Sequence, residues 1–278
     1  MNLTNVGQGN VVLIAGGDKI YTDIAARFCR SEKSLTEILA SPYDANIVKN
    51  ILNSGHKAAV EFDYFIFGVE GFSRVCEAQL IRKRLASFLI KSGRVDKKGK
   101  RTYDIVLPES IIDHTTNFNV NAYDITVRIP DGNIINYKSL DLLHPGCEAF
   151  LHVDTKDLIR FTEQWYNSGV EAGLREEDLR YMKQQGTEYK AIIGMNAHAL
   201  LDWFQIRDCL NAQAEIRDLS NKILKLCKTA APDIFKNAGA SCKVLGYCPE
   251  NNLQNEKCKG NIYTKDDALE ILRNSKKK

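Results

Sequence analysis

The chain has 278 residues, of which 44% are hydrophobic and 26% charged, with a net charge of +3. This composition is ordinary for a globular protein, and so small a charge argues against a nucleic-acid partner. No run approaches the ~20 apolar residues of a transmembrane helix, and the N-terminal segment lacks the features of a signal peptide. We therefore expect a cytoplasmic protein without a membrane partner, whose eight cysteines are reduced thiols.

The first half of the chain alternates predicted helices and strands. Apolar residues recur at helical spacing over 20–54, and Pro42 divides this segment into two helices. The aromatic run within 60–69 predicts a buried strand. Residues 71–91 have one apolar face and are predicted to form a helix, and 103–107 predict a short strand.

The second half begins with a predicted hairpin, 124–129 and 134–138, around the turn sequence Pro-Asp-Gly. Four helices follow, at 158–168, 176–184, 197–230 and 264–273. We expect Gly169 to end the first of these helices, and Asn196 to cap the third. The elements predict a single α/β domain over 1–278, with an insertion at about 112–155 and a cysteine-containing extension at about 239–278.

A basic cluster lies between residues 79 and 94. Gln79, Arg82, Lys83 and Ala86 share one face of the predicted helix 71–91, and Ser92-Gly93-Arg94 follows it. Forked guanidinium groups beside hydroxyl groups suit the recognition of phosphate or carboxylate. A solvated basic helix end explains the same composition, so the residues alone leave both interpretations open.

A second candidate site lies on the predicted helix 197–230. Asn196 and Arg207 are eleven residues apart, which is about three turns, so they share one face of the helix. Leu200 and Trp203 lie on or beside that face. An arginine on an apolar stripe needs an anionic or carbonyl partner. That partner is either a ligand or the carboxylate of a salt bridge.

The order of residues in both segments resembles the flavin-dependent thymidylate synthases. Their signature R-H-R-x-x-S-x-N-E-x-S-x-R-Y aligns with 82–95, and their second block, N-A-R-x-L-x-x-F-x-x-L-R, aligns with 196–207. The matches in the signature are Arg82, Arg84, Ser87, Ser92 and Arg94. Within the signature, the family's His, Asn, Glu and Tyr are replaced by Lys83, Leu89, Ile90 and Val95. Outside the signature, a His, an Arg and a Trp of the family are replaced by Phe62, His198 and Ala214.

The resemblance implies a fold, a reaction and a set of contacts. The fold is α/β (α+β), with a mostly antiparallel central sheet flanked by long helices, in a homotetramer. The reaction is methylation of deoxyuridylate (dUMP), a pyrimidine nucleotide monophosphate, at C5, with FAD as cofactor and NADPH and methylenetetrahydrofolate as co-substrates. Arg207 is the implied catalytic residue. The implied nucleotide-binding residues are Gln79, Arg82, Ser92, Arg94, Arg180 and Arg207, and the cofactor-binding residues are Arg82, Lys83, Arg84, Asn196, His198 and Asp202.

Two alternatives to that reaction stay open. The departures also suit a nucleotide-binding paralogue or partner subunit without catalysis, or a methylase of another pyrimidine nucleotide. Cys242, Cys248 and Cys258 lack the paired spacing of a zinc site, so we expect structural thiols and no metal.

Overall fold

The computed structural model of the chain describes residues 3–18, 20–92, 104–119, 125–128, 130, 132–137, 148–251, 253 and 255–275. The chain divides into two compact units, one formed by 1–92, 103–106 and 185–278 and the other by 93–102 and 107–184. The predicted insertion 112–155 lies within the second unit. The single-domain organisation and the C-terminal extension stay predictions. In the described part of the chain, no helix is long and apolar enough to cross a membrane.

The first unit contains most of the regular structure. Its strands are β1 (Leu3–Asn5), β2 (Asn10–Ala15), β3 (Tyr64–Ser73), β4 (Ser87–Ile90), β5 (Ile105–Leu107, whose last residue belongs to the second unit) and, after the four strands of the second unit, β10 (Glu188–Asn196). Its helices are α1 (Thr22–Arg30), α2 (Leu35–Ala40), α3 (Ala45–Asn53), α4 (Arg74–Leu80), α8 (Ala197–Arg207), α9 (Ala214–Ala230), α10 (Pro232–Phe235), α11 (Ser241–Leu245) and α12 (Lys265–Ser275).

The first unit also contains the 3-10 helix Lys57–Phe62, and the second unit contains the other elements. These are α5 (Glu109–Ile112), β6 (Thr115–Asn119), β7 (Ile125–Arg128), β8 (Ile134–Tyr137), β9 (Phe150–Asp154), α6 (Thr155–Glu171), α7 (Glu176–Leu179) and the 3-10 helix Arg180–Met182. β7 and β8 pair antiparallel, which confirms the predicted hairpin, and β6 pairs antiparallel with β9. Gly169 does not end α6 as predicted. It lies inside the helix, and a Cβ at this position would come within 2.3 Å of Leu179 Cδ2, which explains the glycine there.

The central sheet confirms the predicted fold class. Within the described residues it has four strands in the order β2-β3-β10-β4, and every neighbouring pair is antiparallel. Side chains alternate across it, as strand geometry requires. Phe65, Phe67 and Ile193 are buried on one face in a core shared with the buried side chains of α8 and α9.

The opposite face of this sheet is open. Val12, Leu89 and Ile192 lie on it with exposed fractions of 52%, 75% and 41%. They line a shallow groove together with the paired side chains of Lys190 and Glu70. An apolar sheet face of this kind is typical of an interaction surface.

Three helix predictions in the first unit are wrong. The segment 20–54 forms three helices, α1, α2 and α3, and not two divided at Pro42. The predicted helix 71–91 is helical only in α4, because β3 continues to Ser73 and 87–90 pairs as β4 with β10. Strand pairing with a distant segment outweighs the local helical period here. The predicted helix 197–230 is two helices, because the chain leaves the helical path after Arg207. A new helix, α9, starts where the Gln213 side chain accepts a hydrogen bond from the Ile216 backbone N–H.

Candidate functional site

α4 is held in place at its first residue by a buried carboxylate. Ser73 caps the helix, and its own N–H donates to Glu215 of α9 at 2.6 Å. The Ser73 hydroxyl donates to the same carboxylate. Burial raises the pKa of Glu215, although both hydrogen bonds from Ser73 act in the opposite direction. These contacts fix the direction of α4 and so the position of Gln79 near its end.

The basic cluster does not lie on a helix face as predicted. α4 ends at Leu80, so Arg82, Lys83 and Arg84 occupy the turn between α4 and β4. Gln79 remains helical, and its side-chain amide donates to the Gln213 side chain at 3.2 Å. The shared helix face of Gln79, Arg82, Lys83 and Ala86 is therefore absent.

α8 confirms the predicted geometry of its two ends. Asn196 is the N-cap, and its side-chain oxygen accepts from the Ala199 N–H at 2.8 Å. Arg207 is the last helical residue, on the same face and about 16 Å away at ~1.5 Å rise per residue. The two ends of α8 therefore hold separate clusters of side chains.

The C-terminal end of α8 brings together Gln79, Arg82 and Arg207. Arg207 is half-buried, and its Nη2 donates to the Gln79 main-chain oxygen at 3.2 Å. Its pKa is lowered, first by burial and second by the positive charge of Arg82. We call Arg82 and Arg207 the arginine pair.

The arginine pair has no carboxylate partner within 4 Å among the described residues. Arg27, Arg74 and Arg175, by contrast, are each paired with an Asp or Glu. This excludes, for that part of the chain, the salt bridge considered for Arg207. Two neighbouring guanidinium groups with no counter-charge are suited to an anionic ligand.

The N-terminal end of α8 holds a different cluster. His198 Nδ1 lies 2.9 Å from Glu61 Oε1, and its Nε2 lies 3.6 Å from Asp202 Oδ2. Lys57 Nζ donates to Asp202 at 3.2 Å. We call Lys57, Glu61, His198 and Asp202 the histidine cluster. Phe62, beside it in sequence, has an exposed fraction of 67%.

The remaining candidate residues are placed as follows. Ser92 lies just after β4 and ends the described stretch 20–92, and Arg94 lies outside the described residues. Arg180 is exposed in the 3-10 helix of the second unit. The sequence-based site did not include Lys57 or Glu61. Spacing in the sequence could not find them, because their partners lie more than 130 positions away.

Comparisons with known proteins identify the family of this chain. The family described as "Thymidylate synthase complementing protein" matches residues 15–233. A flavin-dependent thymidylate synthase of Nitratidesulfovibrio vulgaris is 33% identical over 204 residues, which are 73% of this chain and 71% of that protein. The flavin-dependent thymidylate synthase of Sulfurisphaera tokodaii is 27% identical over 95% of this chain and 89% of its own.

A solved structure shares the fold. It is a UMP/dUMP methylase, PolB, from Streptomyces cacaoi, bound with 5-Br dUMP. It superposes with a TM-score of 0.58 at 15% identity, over 85% of this chain and 96% of its own. The family match spans both ends of α8, with Arg207 at the second, and the turn that carries Arg82. This chain therefore belongs to the family of the flavin-dependent thymidylate synthases.

Proposed function

We propose that this protein binds a pyrimidine deoxynucleoside monophosphate, with dUMP as the first candidate, and methylates its base at C5. The observation that carries the proposal is the arginine pair, which has no carboxylate partner among the described residues. A pyrimidine nucleotide supplies negative charge in its phosphate and, during methylation, on its base, and the arginine pair has no such counter-charge among the described residues. The UMP/dUMP methylase of the same fold, bound with 5-Br dUMP, supports the choice of nucleotide.

The arginine pair and its neighbours would divide the nucleotide between them. Arg207 would face the uracil and stabilise the negative charge that develops on the base during methylation, which makes it the catalytic residue. Its half-buried guanidinium is suited to this because burial strengthens its interaction with a developing charge. Gln79 and Arg82 would bind the nucleotide beside it. Ser92, Arg94 and Arg180 would hold the phosphate, Arg94 and Arg180 with forked guanidinium groups.

The relatives' names imply a flavin, and the residues present suit FAD. When bound, reduced FAD supplies the hydride, NADPH reduces it, and methylenetetrahydrofolate supplies the carbon. The turn residues Arg82, Lys83 and Arg84 would hold the phosphates of FAD. Asp202 of the histidine cluster has carboxylate oxygens that accept hydrogen bonds from hydroxyl groups.

Two further residues fit the cofactor in part. Asn196 spends its side-chain oxygen on capping α8, so only its amide nitrogen is available to a cofactor. His198 Nδ1 contacts Glu61, so a cofactor would meet Nε2, which lies 3.6 Å from Asp202 Oδ2. The cofactor site is therefore altered from that of the family but keeps cationic and hydroxyl-binding groups.

We also propose that the protein is a homotetramer. The open sheet face around Val12, Leu89 and Ile192 supports self-association, because leaving it in water is unfavourable. A second copy of the same face is the simplest cover, since two-fold interfaces pair like surfaces. The shared sites of such an assembly would give the basic residues partners from a neighbouring subunit.

A nucleotide-binding paralogue without catalysis is the second candidate. Where the family signature has Asn and Glu, this chain has Leu89, which is exposed, and Ile90, which packs against the core. Ile90 therefore removes both a hydrogen-bond acceptor and a counter-charge near the basic turn. Phe62 in place of a histidine removes a hydrogen-bond donor but offers a ring for stacking.

A turnover assay with dUMP, FAD, NADPH and methylenetetrahydrofolate tests the proposal, with UMP and dCMP as alternative acceptors. We expect methylated product only when flavin and folate are both present, at low rates, below ~1 per second. Bound nucleotide with no product from any acceptor would favour the paralogue. Turnover at ~1 per second or faster would show that the substitutions at positions 62, 83, 90 and 198 are tolerated. No binding of any pyrimidine nucleotide would contradict both candidates.

A further inference from the structure

Four cysteine-bearing segments converge at the end of α8. Cys209 follows that helix, Cys242 lies in α11, and Cys248 and Cys258 lie in the irregular segment that follows. All four are partly buried. They come from distant parts of the sequence, and their three later members lie beyond the residues matched by the family, 15–233.

Side-chain hydrogen bonds tie each later segment to the neighbourhood of Cys209. The Ser241 hydroxyl donates to the Gln205 main-chain oxygen at 3.2 Å, next to Cys242 in the sequence. The Asn211 side-chain amide donates at 3.0 Å to Glu250, which lies two residues after Cys248.

The third tie brings in the segment of Cys258. The Asn255 amide donates to the Leu210 main-chain oxygen at 3.2 Å, and Leu210 is adjacent to Cys209. The Cys258 N–H donates to the Asn255 main-chain oxygen at 2.9 Å. The fold thus brings the segments of three cysteines beside the segment of a fourth.

The three hydrogen-bonded ties therefore place four partly buried thiols in one region of the first unit. Four thiolates in one place repel each other, and a divalent cation reverses that penalty. Thiolate sulfur is also the ligand that zinc and other soft metals prefer.

The C-terminal segment 241–275 requires a cross-link to stabilise it. No hydrophobic residue after Ala240 is buried among the described residues, so 241–275 has no core of its own. Short segments without a core are typically stabilised by a metal ion or disulfides. In the cytoplasm, where the sequence analysis expects this protein, thiols stay reduced, which favours the metal.

We propose that Cys209, Cys242, Cys248 and Cys258 form a four-thiolate site for a soft divalent metal ion, with zinc as the first candidate. Among the described residues, no three His, Cys, Asp or Glu side chains already lie close enough to hold a metal, so binding draws the thiols together. Gly246 and Gly260 adopt positive φ with open space around them, which permits this adjustment. The expectation of structural thiols rested on three cysteines, because nothing in the spacing connects Cys209 with the others.

Cobalt titration of the full-length chain, reduced and stripped with a chelator under anaerobic conditions, tests the site. We expect thiolate-to-cobalt charge-transfer bands with tetrahedral d–d bands, saturating at one ion per chain and displaced by zinc. Cys→Ser at position 209, 242, 248 or 258 should weaken cobalt binding at least tenfold and alter the tetrahedral spectrum. Cys29→Ser is the matched control, because Cys29 is an exposed thiol in α1.

Limited proteolysis provides a second readout that does not depend on the spectrum. Zinc should slow cleavage within 241–275 of the wild type several-fold and leave the Cys248→Ser variant unprotected. Circular dichroism of each variant shows whether it still folds. The proposal is overturned if the reduced wild type takes up no cobalt, or if a variant lacking all four thiols binds as the wild type does. A disulfide among the four in a protein that takes up no metal once reduced would also overturn it.

Discussion

Arg207 Nη2 donates a hydrogen bond to the main-chain oxygen of Gln79 at 3.2 Å, across 128 positions of the sequence. The bond joins the end of α8 to the end of α4 and aligns the guanidinium beside the basic turn. Because that guanidinium already has a neutral partner and no carboxylate among the described residues, its charge is available to a ligand. The proposed nucleotide site depends on this contact.

Arg207→Ala should weaken dUMP binding by ~1.5–3 kcal/mol, the usual loss for a hydrogen bond to a charged group. Arg207→Lys should lose part of that amount, because lysine keeps the charge but not the planar fork. Calorimetric titration measures both. Arg175→Ala is the matched control, since Arg175 is exposed and paired with Asp178. Equal affinities for Arg207→Ala and the control would remove Arg207 from the site.

The phosphate contacts are tested separately at Arg94 and Arg180. Replacing either by Ala should also weaken dUMP binding by ~1.5–3 kcal/mol. Binding of deoxyuridine, which lacks the phosphate, should be unchanged in both variants. Calorimetry that shows wild-type dUMP affinity in both variants would contradict their assignment to the phosphate.

Glu215 should make the folded protein less stable as the pH rises, whereas a paired surface carboxylate makes it more stable. Burial raises the pKa of Glu215 in the folded state, so the folded protein binds this proton more tightly than the unfolded chain. Its contribution is full below the ordinary pKa of Glu and is lost as the pH rises through the raised value. The free energy of unfolding of the wild type, relative to Glu215→Gln, should therefore fall between about pH 4 and pH 7.

Urea unfolding at both pH values measures that difference. Glu215→Ala should in addition cost ~1–3 kcal/mol, because the buried Ser73 N–H loses its acceptor. Glu37→Gln is a control, since the Glu37 carboxyl is exposed and its pKa is lowered by the hydrogen bonds that it accepts from Ser34. A wild-type advantage over Glu215→Gln that grows with pH would show that the sign is wrong.

The open sheet face predicts how the protein assembles. Light scattering at micromolar concentration should give the mass of a tetramer. Leu89→Asp should shift the mass to smaller species, because it places a charge on a side chain that is 75% exposed on that face. Leu272→Asp, on α12, is the control, with an exposed fraction of 58%. A stable wild-type monomer would count heavily against sites shared between subunits.

Local patterns in the sequence predicted some parts of this fold and not others. The Asn196 cap, the start of α8 and the β7–β8 hairpin follow from residues close together in the chain. The local pattern predicted a helix over β4, which is a strand because it pairs with the distant β10. β10 itself went unassigned, although its buried side chains alternate at Tyr189, Ala191 and Ile193.

The candidate site shows the same limit. The family resemblance identified Arg82, Arg207 and Gln79. They lie close together because the chain turns after α4, where a continuous helix was predicted. The histidine cluster depends on a bond between Lys57 and Asp202 that spans 145 positions. No spacing rule connects residues so far apart, so such contacts come only from the folded chain.

Calorimetric titration of the purified wild-type protein with dUMP, and in parallel with deoxyuridine, tests the central claim most directly. The arginine pair and the proposed phosphate ligands predict saturable dUMP binding, with deoxyuridine at least tenfold weaker, since removing the phosphate removes charge-assisted hydrogen bonds of ~1.5–3 kcal/mol each. Raising the salt concentration should weaken dUMP binding and leave deoxyuridine binding nearly unchanged. No detectable dUMP binding, or equal affinity for the two ligands, would contradict the nucleotide site.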